Sequence, residues 1–483
     1  MRKVDVMRKI KFIGRNNELK KLSSLDNRRA ASLVTISGRR RIGKSRLAME
    51  YANNKVFYRF SGLPPTSSVN SQAQRDEFSR QLSDQSGLPY LKTNDWSELF
   101  LLLSQKTNQK NVVVLLDEIS WMAGSDRNFL GKLKNAWDLY FSYHPGLTLI
   151  LCGSVSAWIE QNIISSTGFF GRISENIRLE ELALPDSIDF LTMMGFNYSL
   201  SEKVMIVSIL GGIPWYLEQI DPCLSALKNI QRLCFQKDSL LLEEYQHIFD
   251  DFFGKRSARF KLIIELLAKK TCTYAEIATG IDYQKGKSLS QYLNELALSG
   301  FIKKDYTWSI KSKQISRISH YRLSDNYLRF YFRYMENKSE QIKQGSYDDT
   351  SIDTLPGFES MLGLQFENVI LSNRLLIHNA LNLSAHEIVV SNPYFQRRNS
   401  KQEGCQVDYL IQTKFKTLYF CEIKFTRNKI NKTVIAEMKE KLKKIKLPNG
   451  YSARTVLIHL GEVSSGVLDA EFFASIIDVE KLL

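Results

Sequence analysis

Proline and glycine are scarce in this sequence, at 10 and 25 in 483 residues. Collagen-like and linker-dominated chains are thereby excluded, and long disordered tails are not expected. No apolar run approaches the ~20 residues that cross a bilayer. The longest, such as Val112–Leu116, are strand-sized, so no membrane partner is expected. The opening stretch Met1–Gly14 scatters its charges and has no apolar core, unlike a secretory leader. The six cysteines (Cys152, Cys223, Cys234, Cys272, Cys405 and Cys421) include no CxxC pair, and the six histidines form no HxxxH or HExxH cluster. Zinc sites and disulfide frameworks are therefore not expected, and a reducing, cytoplasmic setting is. What remains is an ordinary globular balance, 43% hydrophobic and 24% charged, with 66 basic against 51 acidic residues and a formal net charge of +15. Such a basic excess suits a nucleic-acid partner, and the length suits roughly three domains at about 150 residues each.

The first half alternates strands with helices. Ser32–Ser37 is a β-branched run ending in a Gly-rich turn, and Gly43–Asn53 follows as a helix. Val112–Leu116 and Leu147–Cys152 are continuous apolar strands, which suit a parallel sheet buried on both faces. After Pro185 the pattern becomes helical: Ser201–Leu210 is stopped by Gly211-Gly212-Ile213-Pro214. Helices at Arg259–Lys269, Tyr274–Thr279 and Lys287–Ser299, then short strands at Phe301–Asp305 and His320–Leu323, have the outline of a winged helix. Glu340–Thr354, polar and rich in Ser and Asp, reads as a linker. An α/β pattern then resumes: helix Ser360–Asn373, strands Glu387–Ser391, Gln406–Ile411 and Leu418–Phe425, helix Lys432–Lys446, strand Thr455–His459.

Gly38, Arg39, Arg40, Arg41, Ile42, Gly43, Lys44 and Ser45 match GxxxxGK[ST] at every required position, between a strand and a helix. The glycines let backbone N–H groups curl around phosphate oxygens, Lys44 reaches the β- and γ-phosphates, and Ser45 is a Mg2+ ligand. Asp117, closing the strand Val112–Leu116, is a second Mg2+ ligand. Glu118 follows as the base that polarises water, or else as a helix-start residue favoured by the dipole. Ser154, after the third strand, is either a sensor of the γ-phosphate or an ordinary turn residue.

Phe12-Ile13-Gly14-Arg15 with Glu18 and Leu19 resembles the GR-box ahead of the P-loop in AAA-type and STAND-type ATPases. The N-terminal half looks like the archaeal-type ATPase family of that superfamily. The resemblance implies ATP and Mg2+ as cofactors and brings Pro214 of Gly212-Ile213-Pro214 near the adenine. It also makes Arg172 of Gly171-Arg172 a candidate arginine finger, a surface ion pair being the alternative. The segment Tyr321–Tyr334 is similar to the stretch after the winged helix in the same family. That winged helix either contacts DNA, through Lys287–Ser299 and the wing lysines Lys303, Lys304, Lys311 and Lys313, or acts as a spacer.

In the strand Leu418–Phe425 the side chains of Leu418, Phe420, Glu422 and Lys424 share one face. A Glu and a Lys in so apolar a strand need partners. If the preceding strand pairs with it as a hairpin, Asp408 and Glu422 reach one point, where a dication would neutralise both and Lys424 would stabilise developing phosphate charge. Asp-x13-Glu-x-Lys with the helical Glu367 upstream resembles the PD-(D/E)xK restriction-endonuclease-like fold, which the same ATPase family commonly carries. The first motif residue is Val407-Asp408, without the proline of the motif's name. A water-exposed Glu–Lys pair, or a preserved fold that has lost catalysis, stays open. From Arg397 to Lys446 there are 14 basic and 5 acidic residues, which favours a polyanion nearby.

The expected architecture is a P-loop NTPase core with a parallel sheet (1–185), a helical lid (186–250), a winged-helix domain and following helix (251–339), a linker (340–354) and an α/β restriction-endonuclease-like domain (355–483). The expected activity is Mg2+-dependent ATP hydrolysis coupled to nucleic-acid binding, DNA ahead of RNA. Phosphodiester cleavage would rest on Glu367, Asp408, Glu422 and Lys424, with metal held by Asp408 and Glu422. A regulatory STAND-type ATPase with an inactive, partner-binding C-terminal domain is the alternative, and a homo-oligomer is left open.

Overall fold

The computed structural model describes residues 11–66, 68–253, 257–398, 400 and 402–483. The charged stretch 1–10, Gly254-Lys255-Arg256 and Lys401 of the basic segment lie outside them. The chain divides into two compact units, Met1–Leu182 with Leu298–Gly300, and Ala183–Ala297 with Phe301–Leu483.

The first unit is built on five strands: β1 (Ser32–Ser37), β2 (Val56–Ser61), β3 (Val112–Asp117), β4 (Leu147–Gly153) and β5 (Ile173–Arg178). All pairings are parallel and the order is β2-β3-β4-β1-β5. The apolar runs read from the sequence are the central strands. Val112, Val114 and Leu116 of β3 face a cluster holding Phe60, Phe78, Trp96, Phe100 and Phe129, while Val113 and Leu115 are buried as well. Phe60 stacks on Phe78 with centroids 4.3 Å apart, and Trp96 meets Phe129 edge-on at 4.8 Å. Each such side chain contributes about 1.5–3 kcal/mol by leaving water. The edge strands β2 and β5 carry polar, half-exposed residues and gave no such run. Because the strands are parallel, their carboxyl ends share one rim: Ser37 lies opposite Gly153, and Ser61 opposite Asp117.

The second unit opens with helices Leu184–Met193, Leu200–Leu210, Pro214–Leu217, Ala226–Cys234 and Leu240–Phe253. Helices Ser257–Lys269, Tyr274–Gly280 and Lys287–Leu298 follow, with an antiparallel sheet of β6 (Cys272–Thr273), β8 (Ile315–Leu323) and β7 (Ile302–Trp308), in that order. A mixed sheet ends the chain: β9 (Ile388–Gln396), β10 (Cys405–Thr413), β11 (Thr417–Phe425), β12 (Ser452–Leu460) and β13 (Ser475–Asp478), ordered β13-β12-β11-β10-β9. The pairs β9–β10 and β10–β11 are antiparallel, β11–β12 and β12–β13 parallel.

The β7–β8 hairpin reaches further than the sequence pattern indicated, and its tip joins the core of the mixed sheet. Trp308 and Ile310 are buried there with Tyr394, Val407 and Leu410. The Trp308 indole N–H donates to Gln412 Oε1 at 2.6 Å, and Gln412 Nε2 donates to the Ile310 carbonyl at 2.9 Å. Deeper in the hairpin, Arg322 Nε donates to Asp305 Oδ2 at 2.6 Å, and the same guanidinium bonds Asn368 on the helix Phe358–Ser372. The segment read as a linker is also packed: Ile342 and Ile352 are buried, and Asp348 accepts from the Lys237 N–H at 3.0 Å. Among the described residues no helix is long and apolar enough to cross a membrane.

Candidate functional site

The loop Gly38–Ser45 joins β1 to the helix Lys44–Tyr51. Gly38 has φ +149°, and a Cβ there would come within 2.6 Å of the Leu179 carbonyl oxygen, so only glycine fits. Gly43 precedes the helix at φ +93°, and Arg41 between them is left-handed at φ +67°. A left-handed non-glycine costs about 1–3 kcal/mol and persists where its surroundings enforce it. Arg15 is part of that enforcement: its guanidinium donates to the Ile42 carbonyl at 3.2 Å and the Glu180 carbonyl at 2.6 Å. Arg39 is buried against Glu181, with Nη1 at 3.3 Å, and Arg40 is half-buried. The Lys44 ammonium lies within the loop, donating to the Arg39 carbonyl at 3.0 Å.

Across the rim, Ser45 Oγ donates to Asp117 Oδ2 at 2.7 Å. Two sequence-distant oxygen donors thus converge beside the loop lysine, a set that suits a hard, oxygen-seeking cation such as Mg2+. Arg59, on β2, donates to the same Asp117 oxygen at 2.8 Å. The sequence reading missed it; the polar residue in the alternating run of an edge strand was the only signal. Glu118 turns left-handed at φ +53° and accepts from both the Ser154 N–H at 3.1 Å and the Ser154 hydroxyl at 2.8 Å. The pair reaches across from β3 to the end of its neighbour β4.

Arg172 is held by Asp138 through two bonds, 2.7 Å from Nε and 2.9 Å from Nη2, and this pairing draws the Asp138 carboxyl down to about 2. Pro214 begins the short helix Pro214–Leu217 in the second unit.

The acidic residues of the C-terminal half also converge. β10 and β11 pair antiparallel with Tyr409 opposite Cys421, and Asp408 Oδ2 accepts from the Ile423 N–H at 3.1 Å. Glu422 is 2% exposed. Lys424 Nζ lies 3.0 Å from both Glu422 Oε1 and Glu437 Oε2. A residue absent from the sequence reading stands between the two carboxylates: Lys441 Nζ is 2.6 Å from Glu422 Oε2 and 3.3 Å from Asp408 Oδ1. It projects from the helix Thr433–Lys444, whose buried positions are Val434, Ile435 and Met438. Three residues beyond Met438, Lys441 falls on that inward stripe, and this was the available signal.

Burial works against the Lys441 charge, but Asp408 and Glu422 outweigh it and hold the ammonium above its ordinary pKa. Burial and the Asp408 charge raise the Glu422 carboxyl despite the two lysines, and burial with Asp408 raises Glu367 on the helix Phe358–Ser372. Among the described residues no group of three or more His, Cys, Asp or Glu is arranged to hold a metal ion. The space between Asp408 and Glu422 is bridged by an ammonium.

A five-stranded parallel sheet with a Gly-rich phosphate loop at the rim defines the P-loop class of α/β fold. Residues 12–220 match the family described as an ATPase domain predominantly from Archaea. An uncharacterized protein of Methanocaldococcus jannaschii is 26% identical over 363 residues, 74% of this chain and 76% of that one. The solved Walker-type ATPase of Pyrococcus abyssi shares the fold at 18% identity and a TM-score of 0.51, over 68% of this chain and 99% of its own.

Proposed function

We propose that this protein binds and hydrolyses ATP with Mg2+ in the first unit, coupled to nucleic-acid binding by the second. The single observation that carries the reading is the 2.7 Å approach of Ser45 to Asp117 beside the loop lysine. Lys44 and the loop N–H groups hold the phosphates, and Ser45 and Asp117 are the residues that would hold Mg2+. That ion, bound with the nucleotide, neutralises charge on the phosphate oxygens. Glu118 orients and deprotonates the attacking water, and Ser154 holds its carboxylate until a γ-phosphate competes for the hydroxyl. Arg172 supplies charge to the transition state if the nucleotide of another copy draws it from Asp138.

In the second unit we read the three-helix segment with β6–β8 as a winged helix and the mixed sheet as restriction-endonuclease-like, with Glu367, Asp408, Glu422 and Lys424 as cleavage residues. One observation favours the alternative of a regulatory ATPase with a non-cleaving C-terminal domain: Lys441 already bridges the pair that a metal would join.

Release of γ-phosphate from ATP by the purified chain, with and without Mg2+, tests the first reading; turnover is expected and its absence at saturating ATP overturns it. Plasmid incubated with Mg2+ or Mn2+ and ATP, comparing the native chain with Glu422→Ala, tests the second. Equal nicking by both removes cleavage and leaves hydrolysis standing.

A further inference from the structure

A groove of about 590 Å3 runs between the outer part of the β7–β8 hairpin and the end of β9, all within the second unit. Its size is that of a small-ligand site, which spans about 300–1,000 Å3. Three features set its chemistry. Lys311, Arg397 and Lys446 are exposed on its walls, and no Asp or Glu is among the described residues that line it. Along one wall, Phe395 and His320 are stacked with ring centroids 4.0 Å apart and ring planes 21° from parallel. Ile315 and Ile318, also lining it, are 62% and 37% exposed, apolar surface that water covers poorly.

The hairpin that forms the groove is tied to its neighbours. Trp308 and Gln412 hold the hairpin to β10 beneath it, and Thr307 Oγ1 donates to the Phe395 carbonyl at 3.2 Å. A channel with cations along it, and rings and aliphatic side chains facing it, matches what an unpaired polynucleotide offers: phosphates at regular spacing and bases with free faces. A duplex keeps those faces covered by its own stacking. An acidic peptide would satisfy the cations and leave the rings and isoleucines without a partner.

We propose that this groove binds a single-stranded polynucleotide, its phosphates on Lys311, Arg397 and Lys446 and its bases against the Phe395–His320 stack and Ile315. The proposal rests on the nucleic-acid reading above and narrows it to one strand class and one surface. None of these residues belongs to the nucleotide pocket or to the acidic cluster.

The test uses the full chain and a fluorescein-labelled 20-nucleotide oligothymidine, with a duplex of equal length, by anisotropy at several salt concentrations. The native chain is expected to bind the single strand more tightly than the duplex. The variant Lys311→Glu/Arg397→Glu/Lys446→Glu alters only exposed side chains, and an unchanged melting temperature and unchanged ATP binding would show it folded. It is expected to bind the single strand at least tenfold more weakly. The slope of log affinity on log salt should become shallower by about 2, at about 0.7 per phosphate contact. Photo-crosslinking from 5-iodouracil in the strand should label the peptide carrying Tyr394 and Phe395. A folded variant that binds as the native chain does overturns the groove and leaves nucleic-acid binding intact. Preference for the duplex overturns the strand class. Retention of neither ligand at low salt by the native chain overturns this proposal and the nucleic-acid reading together.

Discussion

At the end of β3 the carboxylates of Asp117 and Glu118 take their partners from hydroxyls and a half-exposed guanidinium, whereas across β10 and β11 those of Asp408 and Glu422 share a largely buried ammonium. The first arrangement leaves weak, replaceable partners around the acids. Ser45 and Ser154 each donate one hydrogen bond to a carboxylate, worth about 1.5–3 kcal/mol net, and a phosphate acceptor would replace that bond in kind. In the second, removing the shared ammonium leaves Glu422 to Lys424 and Asp408 to the Ile423 N–H, two neighbouring acids with less positive charge to balance them. One site is poised to admit a ligand, and the other is already satisfied from within the chain.

The largest effect expected is on turnover in the first site. Glu118→Gln keeps the shape and the Ser154 contact but cannot take a proton, and a positioned general base contributes about 10²- to 10⁴-fold. Phosphate release should fall by at least 100-fold, with binding of a fluorescent ATP analogue retained. Full turnover in this variant would break the comparison, since Glu118 would then be a helix-start residue held by Ser154 and no base.

Next in size is the loss of the internal cation. Lys441 is 22% exposed along its side chain and Glu422 only 3%, so Lys441→Met leaves the carboxylates without their shared partner. Breaking a pair of this kind costs about 3 kcal/mol, to be read as a lower urea midpoint for the second unit. Adding Glu422→Gln should recover much of it. A loss under about 1 kcal/mol for Lys441→Met would mean that the second site is as replaceable as the first.

These two sites also mark where the sequence was legible. The phosphate loop, Lys44, Ser45 and the Asp117-Glu118 pair are consecutive residues at strand ends, so linear spacing carries their geometry. β1, β3 and β4 were readable because central strands, buried on both faces, appear as unbroken apolar runs; β2, β5 and β13 are sheet edges with mixed burial and were not. β9 runs on through Pro393, which an edge strand tolerates because one side of it needs no N–H donor. Lys441 and Arg59 act across tertiary contacts, so neither belongs to a motif. The burial of Trp308 depends on a partner sheet about a hundred residues away, and the hairpin sequence alone reads as a solvated wing.

The pH dependence sharpens the contrast further. Glu367 and Glu422 both hold their protons above the ordinary carboxylate range, because burial and Asp408 disfavour their charge. The folded state therefore binds protons that the unfolded chain releases. The stability from this source is complete below a pH of about 4.3, the unfolded glutamate value, and is lost as pH rises through the folded pKa. Glu367→Gln removes that loss. Urea unfolding at pH 5 and pH 9 should show the variant gaining at least about 1 kcal/mol on the native chain at the higher pH, because a tenfold change in proton affinity corresponds to about 1.4 kcal/mol. A gap that does not move with pH would place the Glu367 charge in a solvated setting.

Arg59→Met should have the smallest effect on stability, and for a reason that returns to the two cations. Arg59 sits 2.8 Å from Asp117 as Lys441 sits 2.6 Å from Glu422, but its side chain is 43% exposed. Water screens the pair, so its removal should cost under about 1 kcal/mol. Its consequence should appear in Mg2+ dependence instead, because the guanidinium holds the Asp117 carboxylate that would hold the metal on the proposed reading. Titrating Mg2+ against fluorescent-nucleotide binding, the variant should need less metal for half-saturation than the native chain. A higher requirement would make Arg59 a contributor to nucleotide binding, and the pocket's guanidinium would then be part of its machinery rather than a cation waiting to be exchanged.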